Sequence, residues 1–206
     1  MSVLHKEEGF EIFDTYEAFV ATYPHARMEV HEGVGYFLAA PGVAHQEVSG
    51  NLTVLLKHHF RGQSCKVFAA PFDVELSHGH RGTKLKVYQP DLVVICDLEK
   101  LADGKRLKGT PDLIIEILSP ATASDDKITK FNTYQAAGVK EYWIVDPVHQ
   151  TVDIYVLREG RYMPTKRQKG FVRSELFQTL QLAYGDIFEG LRPILGQNDD
   201  DKTDEA

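Results

Sequence analysis

The sequence predicts an α+β (mixed α/β) fold, in which helices flank a mixed central β-sheet. The run from Leu113 to Leu118 is short and apolar on both faces, which is typical of a central strand covered on each side. A second run, from Pro90 to Cys96, repeats the arrangement of a Pro-Asp pair that opens an apolar strand. Apolar residues at helical spacing over residues 43–60 predict a long helix that can cover such a sheet.

Caps, turns and periodicity predict the other elements. Asp14 or Thr15 is suited to cap a short amphipathic helix, and Glu32-Gly33 is suited to join a hairpin over residues 28–39. Ser124 or Thr122 can begin a helix that Gly138 ends. Strands are predicted at residues 65–70 and 72–76, in a hairpin at residues 152–164, and near Phe171.

Length and composition indicate one domain of ordinary size over residues 1–196. Residues 197–206 are acidic, and we expect this tail to be disordered. Because no apolar run reaches the length of a membrane span and the first residues lack the apolar core of a signal peptide, we expect a cytoplasmic protein. The formal charge of −7, part of it in the tail, argues against a protein that holds nucleic acid by bulk electrostatics.

The two cysteines, Cys65 and Cys96, lie in predicted strands, where we expect free thiols that behave as small apolar side chains. Their number gives no disulfide framework. The histidines have no cysteine or histidine partners at the spacing of zinc ligands. Neither a disulfide nor a zinc site is therefore predicted.

Glu116 lies in the middle of the apolar strand 113–118. An ionised carboxylate there is costly unless a metal ion or a lysine pairs with it, although a lone strand glutamate more often faces solvent or joins a structural ion pair. If the two apolar strands are neighbours, Asp91 and Glu116 meet at one edge of a sheet. Two carboxylates at such an edge can share a hard cation.

Lys130 and Tyr134 fall one turn apart on the helix predicted over residues 124–137. The simpler interpretation of Lys130 is a surface ion pair with Asp126, which would stabilise the helix by about 0.2–0.5 kcal/mol. The alternative is that the ammonium group of Lys130 lies beside Glu116.

Several motifs in order resemble the Uma-two family, a branch of the PD-(D/E)XK superfamily of restriction-endonuclease-like proteins. The resemblance covers residues 15–190 approximately. The matching motifs are Pro90-Asp91 before an apolar strand, Pro111-Asp112-Leu-Ile-Ile-Glu116-Ile-Leu-Ser119-Pro120, Asp126-x-x-x-Lys130, Tyr134, Gly138-Val139 and Glu141-Tyr142-Trp143-Ile144-Val145-Asp146-Pro147.

The resemblance implies a restriction-endonuclease-like α-β-β-β-α-β core with extra hairpins at both ends. It also implies an endodeoxyribonuclease that uses Mg²⁺ or Mn²⁺, with Asp91 as the first acid, Glu116 as the second, and both as metal ligands. The superfamily places its lysine two residues after the second acid, where this chain has Leu118. In this branch the lysine has moved to the following helix, which points to Lys130 or, as a second candidate, to Lys127.

Three more residues are candidates for the same site. Glu47 lies on the leading helix, from which an acid sometimes joins the superfamily's metal site, although the helix dipole alone also favours an acid there. Asp73 would lie close to Asp91 if their strands pair. Tyr134 is a candidate because it lies one turn from Lys130.

Six basic residues and one acid lie between Arg158 and Arg173. Such a segment is usually a solvent-exposed hairpin edge, whose charged side chains prevent pairing with strands of other chains. It is also the one patch that could follow a phosphate backbone, so Arg158, Arg161, Lys166 and Arg167 are candidate substrate contacts.

Two functions from different classes remain open. One is a metal-dependent endonuclease that hydrolyses the phosphodiester bonds of nucleic acid, in the first place DNA. The other is a nucleic-acid or protein binding module that keeps the nuclease fold without turnover. Retention of two acids and a lysine favours the enzyme. We also expect a homodimer, because the two hairpins are rich in apolar and aromatic residues and restriction-endonuclease-like enzymes are commonly oligomeric.

Overall fold

A computed structural model describes residues 5–7, 10–24, 26–76, 84–119 and 125–196. The helices of these ranges are α1 Tyr16–Thr22, α2 Val43–His59, α3 Asp125–Ala137, α4 Tyr184–Ile187 and α5 Leu191–Ile194, with a 3-10 helix at Leu98–Leu101. None of the described helices is both long enough and apolar enough to cross a membrane. The strands of the same ranges are β1 His5–Glu7, β2 Phe10–Ile12, β3 Met28–His31, β4 Val34–Phe37, β5 Lys66–Ala69, β6 Val74–Glu75, β7 Val87–Tyr88, β8 Leu92–Ile95, β9 Leu107–Lys108, β10 Leu113–Ile117, β11 Glu141–Asp146, β12 Thr151–Arg158, β13 Arg161–Pro164, β14 Phe171–Arg173 and β15 Gln181–Ala183.

The central sheet has six strands in the order β13-β12-β11-β10-β8-β5. It is mixed, as predicted, because β10 runs parallel to β11 and antiparallel to β8. On one face Leu113 and Ile115 pack with Leu52 of α2, and on the other Ile114 packs with Tyr134 of α3. The succession α2, β5, β8, β10, α3, β11 reproduces the α-β-β-β-α-β core that the resemblance implied.

A second sheet of seven strands has the order β1-β2-β4-β3-β7-β6-β9. Its hairpin β3–β4 turns at Glu32 and Gly33, which both have positive φ, as the predicted hairpin requires. Met28 and Val30 of β3 pack with Phe19 of α1 in a core of their own. Because successive side chains of a strand point to opposite faces, Glu29, the residue between them, faces the other way, toward Lys130 of α3.

The structure describes some of the predicted helix caps and helix ends. Thr15 is the N-cap of α1, since its Oγ1 accepts a hydrogen bond from Ala18 N at 3.2 Å. Helix α2 begins at Val43 as predicted and ends at His59, one residue before the predicted end. The proposed caps Thr122 and Ser124 of α3, and the tail 197–206, lie outside the described residues.

The expectation of two free cysteines is wrong. β5 and β8 are antiparallel neighbours, with Lys66 opposite Ile95, so the next pair outward is Cys65 and Cys96. Their Cα atoms are 3.9 Å apart, and their sulfur atoms form a disulfide bond. The prediction failed because it treated the two strands separately and did not consider their register.

Candidate active site

Asp91 and Glu116 occupy matching ends of two neighbouring strands. β8 and β10 are antiparallel with Leu92 opposite Ile115, which places Asp91 across from Glu116. The Asp91 Oδ2 atom accepts a hydrogen bond from the backbone N–H of Ile117 at 2.7 Å. Its Oδ1 atom lies 3.1 Å from Nε2 of His45, which projects from α2. Asp91 is therefore fixed by a strand on one side and a helix on the other.

Glu116 is held on the α3 side of the sheet. The Tyr134 hydroxyl donates a hydrogen bond to Glu116 Oε1 at 2.7 Å, and Lys130 Nζ lies 3.3 Å from the same oxygen. Burial raises the pKa of Glu116 most strongly, Lys130 opposes this rise, and the charges of Asp91 and Glu29 add to it, with a net pKa of about 8. At neutral pH this carboxyl group is therefore largely protonated unless a cation is bound beside it.

Lys130 lies between two carboxylates. Its Nζ atom is 3.0 Å from Glu29 Oε1 as well as 3.3 Å from Glu116 Oε1, and its side chain is only 10% exposed. The lysine reaches this position from α3, whereas Glu29 comes from β3 of the second sheet. The structure thus brings Lys130, Tyr134 and Glu116 together, and adds Glu29, a carboxylate that was not among the predicted site residues.

Glu29 is 1% exposed and has donors at both oxygens. Oε1 accepts from the backbone N–H of Gln89 at 3.0 Å and contacts Lys130, while Oε2 lies 2.9 Å from Nε2 of His31. Burial opposes ionisation of Glu29, but the positive charge of Lys130 and the hydrogen bonds from His31 and Gln89 outweigh it and lower the pKa to about 2. Glu29 is therefore the ionised partner of Lys130.

The cluster contains more carboxyl groups than ammonium groups. Glu29, Asp91 and Glu116 supply three carboxylates, against the one ammonium group of Lys130. Among the residues that the structure describes, no group of three or more His, Cys, Asp or Glu side chains is arranged to hold a metal ion. Two carboxylates are nevertheless a usual protein contribution to a magnesium site, because Mg²⁺ keeps several waters and binds substrate phosphates. The donor set of Asp91 and Glu116 fits such an ion.

The other candidates for the site lie in different surroundings. Glu47 faces the C-terminal segment. Its Oε1 atom lies so close to Gly190 that a Cβ atom on that residue would be only 2.8 Å away. Asp73 belongs to the loop before β6 and accepts hydrogen bonds from the Tyr16 hydroxyl at 2.7 Å and from Gln89 Nε2 at 2.8 Å. Lys127 has its backbone in α3, but its side chain, like that of Asp126, lies outside the part of the chain that the structure describes. Neither of the first two is brought against Glu116.

The basic segment lies at the far edge of the central sheet. Arg167 forms ion pairs with Asp153, and Arg158 pairs with Glu175. Val152 and Ile154, which share a cleft with Lys166 and Arg167, belong to the core on the α2 side of the sheet. This cleft therefore opens on the face opposite Glu116. The roles of Arg158, Arg161, Lys166 and Arg167 in binding a substrate stay a prediction.

Glu29 and His45 were not among the residues predicted for the site. Glu29 lies between two apolar residues in a hairpin strand, and that alternation predicts a solvent-facing acid. A signal was present in Glu29-Val30-His31, because two polar residues at spacing i,i+2 share a strand face and can form a pair. His45 lies in the first turns of α2, where nothing in the sequence indicated contact with Asp91.

Three comparisons relate the chain to known proteins. The model of the Uma2 family, described as "Putative restriction endonuclease", matches residues 13–185. Two proteins of Synechocystis sp., the uncharacterized proteins sll1609 and slr1290, are 26% identical over 120 residues and 24% identical over 128 residues. The matches cover 57% and 62% of this chain, and 65% and 64% of those proteins. The chain thus spans less than two thirds of the length of these curated relatives.

A solved structure has the same fold. The crystal structure of a "putative nuclease belonging to DUF820" from Anabaena variabilis superposes with a TM-score of 0.62 at 20% identity. The superposition covers 80% of this chain and 90% of the other. At this identity the likeness shows the fold alone, and it confirms the predicted fold class.

The raised pKa of Glu116 predicts how stability depends on pH. The folded protein keeps the proton that the unfolded chain releases near pH 4.5, so without divalent cations stability should fall as the pH rises from about 4.5 to about 8. The slope should be at most about 1.4 kcal/mol per pH unit. Glu116→Gln, which cannot ionise, should remove this part of the fall. Denaturant unfolding of both proteins in EDTA at several pH values measures it, and parallel curves would contradict the assigned pKa.

Proposed function

The chain belongs to the Uma2 family of restriction-endonuclease-like proteins, and from this premise we propose that it is a metal-dependent nuclease that hydrolyses phosphodiester bonds of nucleic acid. The observation that carries the proposal is the position of Lys130 Nζ, 3.3 Å from Glu116 Oε1, on the helix that follows the second acidic strand. Asp91 lies across from Glu116 on the neighbouring strand. Two acids and a lysine from separate elements thus meet in one buried cluster.

In this proposal Asp91 and Glu116 hold Mg²⁺ or Mn²⁺. When bound, such an ion supplies an activated water and offsets the negative charge of the reacting phosphate. Ile117 N–H and His45 already fix the carboxylate of Asp91. Tyr134 holds Glu116 through a 2.7 Å hydrogen bond, which fixes the position of one oxygen of the second acid.

Lys130 supplies positive charge beside the two acids. A phosphodiester gains negative charge as water attacks it, and a fixed cation in a low-dielectric site stabilises that charge more than water does. Glu29 lies 3.0 Å from the ammonium group as its counter-ion. We therefore assign Lys130 the role of the superfamily's lysine.

We further propose DNA as the first substrate to test, and a homodimer as the active form. The support for a dimer is an exposed apolar surface on the two hairpins, which includes Phe37 of β4, 69% exposed, and Met163 of β13. At micromolar concentration, light scattering should give the mass of two chains. The mass of one chain would contradict the dimer and leave the nuclease proposal intact.

Binding of a cation should be visible without any substrate. An ion present at one hundred times its dissociation constant should stabilise the folded protein by about 2.7 kcal/mol, which is a rise of roughly 5–10 °C in Tm for a chain of this size. Asp91→Asn keeps an oxygen for the Ile117 N–H but removes the charge, so it should abolish most of this rise. Thermal unfolding with and without Mn²⁺ measures both proteins. An equal rise in Asp91→Asn would remove Asp91 from the metal site.

Replacement of Lys130 separates a catalytic role from a structural one. Lys130→Ala should lower the rate of metal-dependent cleavage by about 10²–10³, because it removes a group that stabilises transition-state charge. The matched control is Lys108→Ala, which removes an exposed lysine 3.7 Å from Asp103 and should leave the rate unchanged. Cleavage of plasmid and single-stranded DNA with Mg²⁺ or Mn²⁺ provides the measurement. Full activity of Lys130→Ala would transfer the role to Lys127, and an inactive wild-type protein would favour a binding module.

A further inference from the structure

Glu29 is the one carboxylate of the cluster that a substrate cannot reach. It is 1% exposed, and Lys130, His31 and the backbone N–H of Gln89 surround its oxygens. Glu29 therefore acts on a reaction through the groups that it holds and through its charge, and not through contact with the substrate. Among the ion pairs of the described residues, Lys130 is the only partner of Glu29 that also contacts Glu116.

Lys130 needs a second carboxylate to stay beside Glu116 when a cation is bound there, and Glu29 is in the position to provide it. A lysine side chain has four flexible torsions, and a cation bound by Glu116 would repel the ammonium group 3.3 Å from that carboxylate. A second carboxylate that is not a metal ligand can keep the ammonium group in place against this repulsion. Glu29 meets that requirement, since it is 3.0 Å from Nζ and comes from the second sheet.

We infer that Glu29 is a positioning residue, which holds the Lys130 ammonium group beside Glu116 while the other acids bind a cation. This inference rests on the proposed nuclease function. His31 and the Gln89 N–H fix Glu29 in turn, so the register of β3 against β7 sets the position of the lysine. The second sheet then has a part in the reaction even though none of its strands bears the two acids of the motif.

A mutant cycle tests this role. Glu29→Gln should lower kcat by about 10², close to the loss caused by Lys130→Met, with little change in KM, because the substrate does not touch Glu29. The double variant Glu29→Gln/Lys130→Met should be no slower than Lys130→Met alone, since residues that act as a unit are not additive. Glu29→Asp, which keeps the charge at a shorter reach, should recover part of the rate. The control Glu32→Gln changes a 61% exposed acid of the same hairpin and should leave kcat unchanged.

The outcomes separate this inference from the function on which it rests. If the folded wild-type protein cleaves no nucleic acid, the proposed function fails and the inference fails with it. If the wild-type protein is active and Glu29→Gln keeps the same kcat, the inference alone is overturned. A further loss of rate in the double variant compared with Lys130→Met would show that Glu29 acts independently of the lysine. The comparison of the double variant with Lys130→Met does not require Glu29→Gln alone to fold, because neither of the two compared proteins contains the charge of Lys130.

Discussion

The burial of one ammonium group between two carboxylates is the interaction on which the site depends. Removing an ion from water costs several kcal/mol, and only close partners offset that cost. Lys130 finds them on two different sheets, Glu29 on β3 and Glu116 on β10. Helix α3 must therefore pack across the central sheet and against the second sheet at once. A change that separates the two sheets would leave unpaired charges in the interior, so the cluster ties the site to the packing of the whole fold.

The two carboxylates that share Lys130 are in unequal states. Glu29 has three donors and a pKa of about 2, whereas burial, Asp91 and Glu29 itself hold the pKa of Glu116 at about 8 despite the lysine. One ammonium group thus neutralises one carboxylate, and the other carries a proton until a cation replaces it. This division lets a site with three acids stay folded without a metal ion, because it avoids two neighbouring buried charges of the same sign.

Much of the fold could be predicted because its central strands are apolar on both faces. β8 and β10 lie where the sequence predicts them, and their Pro-Asp openings led to Asp91 and Glu116. Glu29 could not be found this way. Whether an acid on a hairpin strand faces water or a second layer depends on how two sheets pack, and the local alternation of Met28, Glu29 and Val30 contains no information about that contact. The disulfide was missed for a related reason, because it depends on the register between two strands about thirty residues apart.

The charges of the site also bear on how a polyanionic substrate could approach. Under the proposed function, a phosphodiester would bring negative charge to a cluster in which Glu29 already neutralises Lys130 and Glu116 carries a proton, so the cluster offers it no excess positive charge. The hairpin cations give little compensation, because Arg158 and Arg167 are paired with acids and the cleft lined by Arg167 opens on the opposite face of the sheet. The net charge of −7 gives no long-range attraction either. Under the proposed function, a substrate would therefore bind at Asp91 and Glu116 favourably only with a divalent cation that displaces the Glu116 proton and supplies positive charge, so affinity for nucleic acid and affinity for the cation should rise together.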